Sequence, residues 1–128
     1  MRIAPRSLLL ITGLALGFAG CAHPAERALR GRWLGESVEN FDPSELAEAT
    51  AWARGTSLEF GSSRVTVSIP AEEARSGTFA LSAIEDRLIR LSVVDTEGAT
   101  SELEVIVDDE EHLRWVLGDG RTVVMKKK

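Results

Sequence analysis

Two histidines, one cysteine and twenty acidic residues are the groups in this 128-residue chain with the most chemistry to offer. A transition-metal site needs three or four convergent ligands. His23 and His112 lie far apart, and His112 follows Asp108-Asp109-Glu110-Glu111, a run that reads as a solvated acidic turn. The run also lacks the spaced carboxylates and carbonyls of a calcium loop, so no metal is expected. Nucleophilic catalysis needs a Ser, Cys or Thr beside an oriented base, and nothing like Gly-x-Ser-x-Gly occurs. No glycine-rich phosphate loop joins a strand to a helix. These absences predict a chain that is not an enzyme and takes no cofactor. Cys21 is the only cysteine, so it can form no disulfide within the chain.

Cys21 ends a recognisable leader. Arg2 and Arg6 precede an uncharged run, Ser7 to Gly20, centred on Leu8-Leu9-Leu10-Ile11. That run is shorter than the roughly 20 apolar residues a spanning helix needs, and with its basic start and small-residue end it reads as a secretory signal. Phe18-Ala19-Gly20-Cys21 resembles the lipobox of bacterial lipoproteins, with Phe18 where Leu is more usual. The resemblance implies a signal peptide over 1–20 and a mature N-terminus at Cys21, whose sulfur carries diacylglycerol and whose amine can carry a further chain such as palmitate. Ala22 in place of an inner-membrane-retaining Asp implies anchorage to the outer membrane. Residues 21–30 are then expected to form a polar tether.

The whole chain carries 15 basic and 20 acidic residues, a net −5, and without residues 1–20 it falls to −7. A binder that tracks phosphates needs a basic face, so no nucleic acid is expected as a partner. Lys126-Lys127-Lys128 at the end reads as a solvated terminus.

One helix and many strands make up the rest. Asp42-Pro43-Ser44-Glu45 supplies a capping acceptor, a proline at the first helical position and a carboxylate near the positive helix end. Leu46, Ala49 and Ala53 recur at helical spacing and Gly55 is the expected left-handed stop, which predicts a helix over 43–54. After Thr56 the period changes to two. Leu58/Phe60, Val65/Val67/Ile69, Phe79/Leu81/Ala83, Ile89/Leu91/Val93, Leu103/Val105/Val107, Leu113/Trp115/Leu117 and a final 121–125 run are separated by short turns. With the extended 31–40 segment this predicts eight strands in an all-β antiparallel meander, with the helix between strands 1 and 2. Closing the meander into a barrel over 31–128 removes its open edges.

Gly31-Arg32-Trp33 at the start of the first strand, with a basic residue late in the meander, resembles the lipocalin (calycin) family. The resemblance implies that Trp33 plugs the closed end of the barrel and that Arg121, or less well placed Arg114, packs over its ring. Ser76-Gly77-Thr78 is faintly similar to a Ser-Gly loop of small lipoproteins that inhibit lysozyme, but the second cysteine and aromatic-Lys loop of those inhibitors are absent.

Two functions stay open. The uncharged inward set, including Phe60, Val67, Phe79, Leu91, Val105 and Trp115, either fills the barrel or lines a pocket for an apolar, lipid-like ligand. A filled barrel is expected, because short strands leave little height for a cavity. The chain is then a lipid-anchored interaction module for an envelope protein or glycan; a hollow barrel makes it a carrier or sensor. Trp52, on the helix, either packs the helix on the barrel or lids one end.

Overall fold

A computed structural model describes residues 23–128; the predicted signal peptide and Cys21 lie outside the described residues. Eight antiparallel strands run in chain order around a closed barrel: β1 (Gly31–Glu39), β2 (Ser57–Phe60), β3 (Arg64–Ser68), β4 (Arg75–Glu85), β5 (Leu88–Asp95), β6 (Thr100–Val107), β7 (His112–Val116) and β8 (Thr122–Lys127). β8 returns to β1, pairing Glu39 with Thr122 at one end and Trp33 with Lys127 at the other. This up-and-down order of eight strands is the architecture of lipocalin barrels, as the alternation predicts. Among the described residues no helix is long and apolar enough to cross a membrane.

The inner face is one apolar cluster. Leu58, Leu91, Val105, Leu113, Val123 and Met125 are fully buried, and Phe60 meets Phe79 edge to face with centroids 5.5 Å apart. The alternation is interrupted once. A bulge between Leu81 and Ala83 gives β4 an extra residue, so Ala83 stands opposite Arg90 and Ile84 opposite Ile89, where Ile84 is nevertheless exposed near the strand end. Ser76-Gly77-Thr78 falls within β4 and forms no loop; a side chain at Gly77 would strike the Val94 carbonyl and Val93.

From His23 onward the segment expected as a tether is structured. Pro24–Leu29 forms a short helix, α1, capped by His23, whose Nδ1 accepts from the Ala25 N–H at 3.0 Å, with Pro24 at the first position. Six residues cannot hold a helix in water by themselves. Tertiary contact holds this one, because Leu29 is fully buried and its carbonyl accepts the Trp33 indole N–H at 2.8 Å. Composition alone marks 21–30 as polar and misses that single anchoring Leu.

The predicted helix begins with a 3₁₀ turn, Pro43–Glu45, and continues as α2, Leu46–Arg54. Asp42 caps the turn, accepting from the Ser44 N–H at 2.9 Å and the Ser44 hydroxyl at 2.7 Å. Gly55 does end α2, but at φ −94 it is not left-handed. Space is the reason for glycine there, since a Cβ would come within 2.8 Å of the Pro70 ring.

β2 pairs with β1 only from Gly31 to Leu34, so the upper part of β1 needs another cover. α2 supplies it. The Gly35 N–H donates to Thr56 O at 3.0 Å, Arg54 Nε donates to Glu36 O at 3.3 Å, and Ala53 is fully buried. A Cβ at Gly35 would collide with the Ala53 carbonyl oxygen. Gly35→Ala is therefore expected to destabilise the domain by about 1–3 kcal/mol through overpacking. Thermal unfolding checks this, with a drop in melting temperature of roughly 4–8 °C per kcal/mol for a domain of this size.

Candidate functional site

The strand order separates two ends. α1, the start of β1, the hairpin turns after β2, β4 and β6, and the C-terminal Lys128 gather at one end; the loop after β1, the start of α2, and the turns after β3, β5 and β7 gather at the other.

Trp33 lies at the first end, near the start of β1. Its side chain is fully buried, its indole N–H is taken by Leu29, and the Lys127 ammonium lies 4.9 Å from its ring centroid. The cation over the tryptophan is therefore Lys127, brought there by the β1–β8 register, and not Arg121 or Arg114. Arg114 lies on the outer wall, donating to both oxygens of Asp108 at 3.0 and 2.9 Å, which raises its pKa. Arg121 is at the opposite end, its guanidinium 4.7 Å from the Phe41 centroid and its Nε 2.7 Å from Asp119 Oδ2. That pairing raises the pKa of Arg121 and lowers that of Asp119.

The second end is a mouth with a cleft of about 650 Å³. Half-buried Phe41, Ala49, Trp52 and Leu117 give it apolar walls, while exposed Glu45 and Glu48 stand at its edge beside Arg121. α2 positions most of it. Residues 45, 48, 49 and 52 recur at helical spacing and share one face. Trp52 stacks on Trp115 with centroids 6.5 Å apart and planes 27° apart, so it packs the helix on the barrel and walls the cleft as well. Asn40, at φ 66, donates through its side chain to Gly120 O at 2.9 Å and ties the loop after β1 to the turn before β8.

The residues that the sequence suggests as an apolar lining lie elsewhere. Phe60, Phe79, Leu91 and Val105 are in the buried core, and Val67 packs against it. Trp115 meets the mouth through its contact with Trp52, and it also lines a second cleft with Glu102, Glu104 and Leu117. Sequence reasoning placed Leu117 in the inward set and missed Phe41, Glu45, Glu48, Ala49 and Lys127. A signal for the helix residues was present, since a carboxylate pair leads into Ala49 and Trp52 on one face.

The acidic turn is internally bonded. His112 Nδ1 lies 2.9 Å from Asp109 Oδ1, and the Asp109 carboxyl is held below its ordinary pKa first by the Glu111 N–H and then by His112. Among the described residues no group of three or more His, Cys, Asp or Glu side chains is placed to hold a metal ion.

No protein-family profile and no curated protein matches the chain. Among solved structures, a lipocalin-like protein from Bacteroides uniformis is similar over 79% of this chain and 99% of its own, with 13% identity and a TM-score of 0.47. Nothing about ligands or residues carries across at that level.

Trp33→Ala is expected to cost about 3–5 kcal/mol, the usual loss for a buried tryptophan. Lys127→Ala is expected to cost about 0.5–1 kcal/mol through the lost cation–π contact, with Arg121→Ala leaving the Trp33 environment unchanged. Denaturant unfolding and near-ultraviolet circular dichroism check both; a Trp33 signal that responds to Arg121 and not to Lys127 reverses the assignment.

Proposed function

We propose that this chain is a non-catalytic, lipid-anchored binding module of the bacterial envelope, and that it binds at the barrel mouth. The observation that carries this reading is a cleft of about 650 Å³ set above a filled barrel. Small-molecule sites usually enclose about 300–1,000 Å³, with mostly apolar walls and a few polar groups that orient the ligand. The mouth is an open groove of that volume with that kind of lining. Its apolar walls come from a helix and two loops on an otherwise packed scaffold, where a ligand meets preformed surface.

The proposed anchor fits the same geometry. Acylation of Cys21 would attach the membrane two residues before His23, at the end where α1 and Trp33 lie. The mouth then faces away from the bilayer, toward a soluble ligand, an envelope protein or a glycan. One acyl chain holds only marginally and two or more hold stably, so diacylglycerol with palmitate would suffice for anchorage to the outer membrane. An apolar carrier with its ligand inside the barrel is the weaker reading, because Phe60, Leu91 and Val105 occupy that space.

Cys21→Ser is expected to release the protein from the membrane fraction after a high-salt wash; a variant that still pellets with membranes would sink the anchor. At the mouth, Ala49→Phe places a ring in the cleft. It is expected to abolish one-to-one binding of N-phenyl-1-naphthylamine while leaving the melting temperature nearly unchanged, whereas Val105→Phe destabilises the core by about 1–3 kcal/mol and leaves probe affinity intact. Loss of probe binding in Val105→Phe but not in Ala49→Phe would move the ligand inside the barrel.

A further inference from the structure

Resting on that reading, we propose that the mouth selects ligands with a cationic end: a small molecule with an apolar body and an ammonium group. The walls provide the first part of the argument. Trp52 borders the cleft with aromatic surface, and an aromatic face attracts a cation placed within about 6 Å of its centroid, as Arg121 does 4.7 Å from the neighbouring Phe41 ring.

Charge provides the second. Among the described residues the side chains of Glu45 and Glu48 make no hydrogen bond and no ion pair; Glu45 acts through space on Arg121, and Glu48 stands open to whatever enters. The one cation of the cleft, Arg121, is engaged by Asp119 at 2.7 Å and stacked on Phe41, and Glu45 adds to the negative field around it. The adjoining cleft, which shares Leu117, adds Glu102 and Glu104, with Glu104 bound by Arg90 at 2.6 Å. Nearby Asp42 is tied to Ser44 and Glu39 to Thr122. The balance at the mouth is acidic, and an anionic head group would meet it unfavourably.

A carboxylate in the first turn of a helix is already accounted for by the helix dipole. The test therefore reads selectivity between head groups, which a dipole role alone would not move. Decyltrimethylammonium, decyl maltoside and decyl sulfate share a ten-carbon tail. Each is titrated below its micelle-forming concentration against the full-length protein lacking acylation (Cys21→Ser), with tryptophan fluorescence as the readout. The ammonium is expected to bind about tenfold more tightly than the sulfate, from a cation–π contact together with partly screened ion pairs. In Glu45→Gln/Glu48→Gln the two are expected to converge to within about threefold, and added salt is expected to narrow the gap in the parent protein. Circular dichroism confirms that the double variant is folded.

Equal or tighter binding of decyl sulfate overturns the cationic preference and leaves the mouth as the binding site, provided Ala49→Phe still blocks it. A preference that survives in the double variant also overturns it, since the carboxylates then select nothing. Failure of all three probes to bind overturns the mouth reading itself. A decalysine peptide that binds where decyltrimethylammonium does not would replace the small molecule with a basic protein partner.

Discussion

Everything at the open end of this barrel depends on one contact, where the backbone of β1 at Gly35 meets the backbone of α2 at Ala53 with no side chain between them. β2 is too short to cover the upper part of β1, and a helix normally packs on a sheet with side chains holding the backbones apart. Removing the Cβ lets α2 sink into the gap and become part of the wall. Its adjoining face then reaches over the rim, where Trp52 stacks on Trp115 and Glu45, Glu48 and Ala49 border the cleft. Shape at the mouth is thus a consequence of a missing atom in the wall.

The other end is settled by different means. Trp33 is fully buried, and each of its features is answered: Leu29 takes its N–H, the Lys127 ammonium lies near its ring, and it belongs to the buried core cluster. A polar atom buried without a partner costs free energy, so capping the indole matters as much as burying it. This end is consolidated and the mouth is comparatively open, which divides the molecule between stability and binding.

The strands were legible because alternation is local: Val65/Val67, Ile89/Leu91 and Leu103/Val105 each announce a half-buried strand without reference to any partner. The helix was legible for the same reason, from Asp42 and Pro43 onward. What resisted reading was everything that depends on register. Lys127 meets Trp33 only through the β8–β1 pairing across almost the whole chain, so one of three consecutive lysines could not be singled out in advance. The bulge at Leu81 and Ala83 shifts the pairing of Ala83 and Ile84 without a glycine or proline to mark it. Leu29 alone turns an expected tether into a packed helix. The cleft itself was half legible, since Glu45, Glu48, Ala49 and Trp52 lie on one helical face; their convergence with Phe41 and Leu117 needed the closed barrel.

The hydrogen bond from the Lys128 N–H to Arg32 O, at 2.8 Å, leaves the final residue beside the beginning of β1. β1 and β8 are antiparallel neighbours, with Gly31 and Lys127 at the same end, so a pull between residues 31 and 128 acts on one ladder like the slider of a zip. The rungs from Trp33–Lys127 to Glu39–Thr122 would load one after another, starting where Trp33 is seated, instead of sharing the load as they would in shear. Resistance to traction is then concentrated at the Trp33 end, and the helix-covered rim, last in the opening order, is shielded from it.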